Sequence, residues 1–112
     1  MKLITSPIAQ PAGLLVSFEL DHLDAGNSKA FKDAIQPMLT NHHLVVLDMA
    51  KLNFVDSSGL GVLLSCLRTM NNKQGQLKLV HMSNPVRAVF ELVRMHRIFS
   101  IHNTVDEAFA AT

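Results

Sequence analysis

Asn53-Phe54-Val55-Asp56-Ser57-Ser58-Gly59-Leu60-Gly61-Val62-Leu63-Leu64-Ser65 joins an apolar, strand-like end to an aliphatic pattern of helical period. Leu44 to Met49, just upstream, has the length and composition of a strand. From Leu60 onward, Leu60, Leu63, Leu64, Leu67 and Met70 recur at the spacing of one helix face. The segment therefore predicts a strand, a loop and a helix start. Asp56 or Ser57 can cap that helix, because a short side-chain oxygen accepts one of the amide hydrogens the first turn leaves unpaired. At the far end Asn71, Asn72, Lys73 and Gly75 close it. Glycine tolerates the left-handed conformation that ends helices, and lysine suits the negative end of the dipole.

At about 100° per residue, the Leu60, Leu63, Leu64, Leu67 stripe defines the buried direction, and Ser58 falls nearly opposite it. The periodicity predicts that Ser58 faces outward, with Val62, Ser65 and Thr69 projecting the same way, while Ser57 lies nearer the buried edge and is better placed to cap. A phosphate at such a helix start is tolerated by exposed amides and by the positive end of the dipole. It would add about −1.5 to −2 charges beside Asp56, leaving the fold intact while presenting any docked partner with a concentrated negative patch. The competing reading is that Asp56-Ser57-Ser58-Gly59 is only a well-capped turn.

Outward from this segment the chain reads strand, strand, helix, strand, helix, strand, helix and a short terminal helix. Leu14 to Leu20 alternates and ends at Asp21, a strand. Asn27 or Ser28 starts a helix carrying Phe31, Ala34, Ile35, Met38 and Leu39, which Pro37 is expected to kink or shorten. Leu77 to Met82 is a further strand. Asn84 then caps a helix with Pro85 at its first position and Val86, Val89, Phe90 and Val93 on its buried side. Asp106 to Ala111 forms the last helix. Strand–helix–strand units imply parallel pairing with right-handed crossovers, which brings the Asp21 to Asn27 and Asp48 to Ser58 loops to one sheet end. Asp21 and Asp24 are then either loop and capping acids or partner-facing groups beside Ser58. The fold class is α/β: a mixed, mostly parallel sheet of four to five strands with about four helices, one domain over residues 1–112.

Phe54-Val55-Asp56-Ser57-Ser58-Gly59-Leu60-Gly61-Val62-Leu63 resembles the signature of STAS-domain anti-sigma factor antagonists, in which the serine directly before the first glycine is phosphorylated by a partner kinase. Phe18-Glu19-Leu20-Asp21 resembles that family's strand end ahead of its first helix. Asn84-Pro85-Val86, Phe90 and Ile98-Phe99 resemble its third helix and closing segment, so nearly the whole chain is covered. The resemblance implies an unphosphorylated form that binds an anti-sigma factor serine kinase and so frees a sigma factor, with a metal-dependent serine phosphatase restoring binding after phosphorylation. It implies Ser58 as acceptor, with Asp56 and Ser57 shaping its loop and Asp21 nearby; Gly59 and Gly61 complete that loop, and Asp24, from the shared sheet end, with Val62, Ser65 and Thr69, from the helix period, join Asp21 as the expected partner-binding side. The chain departs from the pattern at Pro7 and Pro11, where an uninterrupted strand is usual, and at Pro37. STAS domains also serve as subunits of transport systems, a second reading in which the helix face docks permanently.

With 112 residues the chain suits one domain, and its 48% hydrophobic content argues for a packed core rather than disorder. A net charge of +1 gives no electrostatic reason to expect direct nucleic-acid binding. No apolar run reaches spanning length and none follows Met1-Lys2 as a leader would, so no membrane insertion is expected. A single cysteine, Cys66, rules out an internal disulfide and fits a reducing, cytoplasmic setting. It lies beside the buried stripe of its helix, and no neighbour in sequence lowers its pKa. The expected assembly is a monomer or weak dimer.

Other chemistries fit less well. Gly59 and Gly61 are followed by Leu64 where a dinucleotide fingerprint needs a third glycine or alanine, and no Walker lysine is present. Nucleotide affinity of the same loop remains the reading from another class. Ser58 lacks the Gly-x-Ser-x-Gly setting of a hydrolase nucleophile, and His22, His42, His43, His81, His96 and His102 lack zinc-site spacing. No catalytic residue, metal or cofactor is expected. The Gly pair instead lets a partner or a neighbouring backbone approach closely. Arg87, Arg94 and Arg97, with Arg68 and Lys73, read as a solvated polar side or an anionic docking face.

Overall fold

Leu44–Asp48 (β4) runs through the middle of a five-stranded sheet, and its first four residues are buried whichever face they point to. A parallel strand covered on both sides needs this unbroken aliphatic run. The computed structural model describes residues 1–110. The sheet order is Leu3–Ile8 (β1), Gly13–Phe18 (β2), β4, Gln76–Val80 (β6) and Ser100–His102 (β7). Only β1 is antiparallel, so the sheet is mixed and mostly parallel. A second, two-stranded sheet pairs His22–Leu23 (β3) with Phe54–Val55 (β5) in parallel.

Helices Ser28–Asn41 (α1), Ser57–Asn72 (α2) and Asn84–Leu92 (α3) cover one face. Phe31 and Ile35 of α1, Leu63 and Met70 of α2 and Phe90 of α3 pack there with Val16, Val45, Leu47 and Leu79 of the strands. The short helix Val105–Ala110 (α4) covers the other face, where Ala108 meets Leu44, Val46 and Val80. The terminal helix thus starts one residue earlier than its acids suggested, and Ala111 lies outside the described residues.

Three local expectations are corrected. Pro37 does not stop α1, which continues to Asn41. Pro37 is exposed, so its ring and the lost hydrogen bond fall on the solvent side, the direction in which helices bend. The cap of α3 is Ser83 rather than Asn84, which is already helical. The Ser83 hydroxyl instead donates to the Leu52 carbonyl at 2.7 Å, fastening α3 to the loop after β4. At the end of α2 the left-handed residue is Gln74 (φ 60°), not Gly75. Gln74 N donates to Asn71 O and Gly75 N to Met70 O, the paired bonds of a Schellman motif. Pro7 is accommodated because β1 is an edge strand, one side of which makes no ladder bonds.

Candidate functional site

Asp56 organises the start of α2 in its extended conformation, just ahead of the first helical residue. Its Oδ1 accepts the Gly59 amide at 2.9 Å, and its backbone carbonyl accepts Leu60 N at 2.9 Å, the geometry of an N-cap. Its other oxygen, Oδ2, accepts the Ala25 amide at 3.1 Å from the neighbouring loop. The Gly59 bond first, then those from Ala25 and Ser58, hold this carboxyl below the usual carboxylate range. One side chain therefore caps the helix and joins two loops.

The β3–β5 pairing completes the joint. Asp21 O accepts Asn53 N at 2.7 Å and Phe54 N at 3.2 Å, and Asp56 N donates to Leu23 O. The loops that parallel topology sends to one sheet end are thus laced by backbone bonds rather than merely adjacent. Gly59 is required by this closeness, since a β-carbon there would lie 2.2 Å from Leu23 O. Asp24 closes its own loop by accepting Gly26 N through Oδ1, while its amide donates to Asn27 Oδ1. Asp21 is exposed and bonded to His22 Nδ1 at 3.0 Å. That bond lowers the Asp21 carboxyl and raises the imidazole.

The two serines are placed in the reverse of their expected order of exposure. Ser57 is exposed and Ser58 half-buried. Val62, expected to project outward, is buried at 8% exposure, and Ser65 and Thr69 are half-buried. The cause is α1, which packs alongside α2 and covers the flank that the leucine stripe leaves open. A helix has two sides that are neither sheet-facing nor fully solvated, and its periodicity does not say which one a second helix takes. The Lys32 ammonium of α1 donates to the Ser65 hydroxyl, and Thr69 Oγ1 donates to Ser65 O. The solvent face of α2 is instead Ser57, Gly61, Arg68 and Asn72, with Ser58 at its margin.

Between the two helices runs an open groove of about 530 Å³ lined by Lys29, Lys32, Gln36, Gly61, Val62 and Ser65. Gly61 has nothing within 4 Å of where a β-carbon would stand, so it keeps the groove wall low. Phe54, taken from the sequence as a strand end, is 54% exposed beside the serine loop. Strand alternation was the available signal: with Val55 inward, its chain neighbour Phe54 points outward. Lys32 carried no signal, because its role depends on helix packing.

Cys66 is buried, and burial pushes its thiol up to about 11, against an opposing pull from Lys32. It is not a nucleophile near neutrality. Among the described residues no cluster of three or more His, Cys, Asp or Glu side chains could hold a metal ion, and no helix is long and apolar enough to cross a membrane.

A mostly parallel sheet with three helices on one face, and a serine pair capped by an aspartate at the second of them, defines a STAS domain. The family model described as "STAS domain" matches residues 11–108, and the chain belongs to that family. Within it the chain is similar to anti-sigma factor antagonists. The anti-sigma F factor antagonist of Paenibacillus polymyxa is 33% identical over 89 residues, covering 79% of this chain and 74% of that one. An anti-sigma-factor antagonist (STAS) domain protein from Planctomyces limnophilus superposes with a TM-score of 0.85 at 18% identity, covering 97% and 96% of the two chains. The Bacillus cell fate determinant SpoIIAA in its phosphorylated form superposes at 0.69 with 19% identity, covering 98% of each chain.

Proposed function

We propose that this chain is a phosphorylation-switched anti-sigma factor antagonist, a regulatory module rather than an enzyme. Its unphosphorylated form binds an anti-sigma factor serine kinase and frees a sigma factor; phosphate on Ser58 ends that binding, and a serine phosphatase restores it. The observation that carries the reading is Ser58 itself, half-exposed in the first turn of a helix capped by Asp56. The anti-sigma factor antagonist relatives support the first half of the reading. The existence of a phosphorylated form of one structural neighbour agrees with the second.

Physical chemistry supports the mechanism. A phosphate at the first turn adds about −1.5 to −2 charges where the helix dipole is positive, so the domain tolerates it. The kinase supplies the base and the metal, so this chain needs neither. The docking surface in this reading is the one around Ser58: exposed Phe54 as apolar anchor, Asp21 and Asp24 as acids, and the open backbone at Gly61. A partner carboxylate or apolar contact seated there is expelled by a dianion already flanked by Asp56.

Incubation with a cognate kinase and ATP, followed by fragmentation mass spectrometry, is expected to place phosphate on Ser58 and not on the more exposed Ser57. Modification confined to other residues would overturn the assignment. Ser58→Ala is expected to keep kinase binding and Ser58→Asp to weaken it. Equal affinity of both variants would remove the switch.

A further inference from the structure

Lys32 stands half-buried between α1 and α2, and its ammonium donates to the Ser65 hydroxyl. Its charge is felt further inward, where it pulls down the buried Cys66 thiol against the rise that burial imposes. The ammonium is therefore aimed at α2 rather than away into solvent. Among the described residues no carboxylate pairs with it. Asp33, the next residue along, is engaged by Lys29 at 3.0 Å.

A lysine ammonium has three hydrogens to donate, and the Ser65 bond uses one of them. Because the Ser65 oxygen accepts in that bond, its own hydroxyl proton is left over, and it meets no acceptor among the described residues. Lys32 and Ser65 thus form a touching pair of donors, both on the wall of the groove of about 530 Å³ between the two helices. That volume lies within the roughly 300–1,000 Å³ of pockets for small organic ligands, and an inorganic ion would fill little of it.

The remaining wall is mainly carbon: buried Val62, the bare backbone of Gly61 and the stems of Lys29 and Gln36. Nothing lies within 4 Å of where a Gly61 β-carbon would stand, so a hydrocarbon has open access there. The charges set the valence of the ligand. Lys29 and Asp33 cancel, which leaves the single positive charge of Lys32 to be matched by a single negative one.

We propose that the α1–α2 groove binds a monocarboxylate with a short hydrocarbon chain, its carboxylate on Lys32 and Ser65 and its tail along Val62 and Gly61. The site does not rest on the phosphorylation switch. Gly61 and Val62 nonetheless follow Ser58 by three and four residues, one helical turn, so an occupied groove adjoins the proposed docking surface.

The test is a titration of the ¹⁵N-labelled protein with sodium hexanoate, sodium acetate, inorganic phosphate and 1-hexanol in separate series, sodium chloride holding the ionic strength constant. Hexanoate is expected to give saturable amide shifts confined to residues 28–36 and 58–66. Acetate is expected to bind about tenfold more weakly, the loss of roughly two buried methylenes, and phosphate and hexanol more weakly than hexanoate. Lys32→Met, which keeps the stem and removes the charge, is expected to abolish saturation. Ser65→Ala leaves the charge in place and is expected to weaken hexanoate about tenfold, the loss of one hydrogen bond to a charged group; it also serves if Lys32→Met does not fold. Absence of saturation with hexanoate, phosphate or hexanol binding as tightly as hexanoate, acetate matching it, or undiminished binding in the folded variants would overturn the proposal.

Discussion

The α-carbon of Gly59 faces the carbonyl of Leu23 so closely that a β-carbon on it would stand 2.2 Å from that oxygen, whereas one on Gly61, two residues along the same helix, would meet nothing within 4 Å. The two glycines of one motif therefore do different work. Gly59 lets the helix start press against the β3 backbone, and Gly61 leaves a gap in the outer surface.

Alanine in place of glycine inside a helix is worth about 1 kcal/mol. Gly61→Ala is expected to realise that gain and raise the melting temperature by a few degrees. Gly59→Ala meets a backbone carbonyl that cannot rotate away, and overpacking of about 1–3 kcal/mol outweighs the propensity. A lower melting temperature is expected. Thermal denaturation of both variants checks the contrast, and a stabilised Gly59→Ala would refute the close approach. On the proposed docking surface Gly61→Ala should also weaken partner binding while strengthening the fold.

Lys73, expected to sit at the negative end of its own helix, serves the neighbouring one. Its ammonium donates to Leu39 O at 2.8 Å, Thr40 O at 2.9 Å and His42 O at 3.0 Å, the carbonyls that the end of α1 leaves unpaired. Lys73→Met removes the charge and keeps most of the stem. A loss of about 2 kcal/mol is expected, within the range for hydrogen bonds to a charged group. Urea unfolding measures it, and a change below about 0.5 kcal/mol would show the ammonium to be no better than a surface charge.

Gln74 occupies the left-handed position of the Schellman motif that ends α2. A side chain there costs about 1 kcal/mol relative to glycine, so Gln74→Gly is expected to stabilise the domain by up to that amount. Chemical denaturation compared with Gly75→Ala separates the two positions. Gly75 has no positive φ, but its β-carbon would lie 2.8 Å from His43 O, so that variant should lose stability.

The Asp56 carboxyl is held below its ordinary value of 3.8 by amides it accepts only when folded and ionised. A depressed folded pKa contributes stability that is complete above 3.8 and is lost as the pH falls through the folded value. Asp56→Asn can still cap Gly59 through its one oxygen, but its amide nitrogen cannot accept from Ala25. Wild type should therefore be more stable than Asp56→Asn at pH 7, with the gap shrinking below about pH 4. Urea melts at neutral and acid pH test this; a gap independent of pH would mean that the carboxylate charge is irrelevant to the joint.

The sequence by itself was enough for the α/β class, the parallel order implied by successive strand–helix units, the buried leucine stripe of α2 and a short polar cap at its start; that the cap is Asp56 and not Ser57, the residue better placed by periodicity, was decided by the structure. Those sequence readings depend on periods of two and 3.6 residues and on turn chemistry, which a chain carries locally. It was also enough to single out the Asp56-Ser57-Ser58-Gly59 loop. Which flank of α2 is open was decided only by the tertiary structure: α1 buries Val62 and engages Ser65, so the solvent face moved to Ser57, Gly61 and Arg68. The partners of Lys73 and the need for glycine at 59 were likewise settled by packing. Each depends on groups tens of residues apart in the chain, and no local period encodes the distance between them.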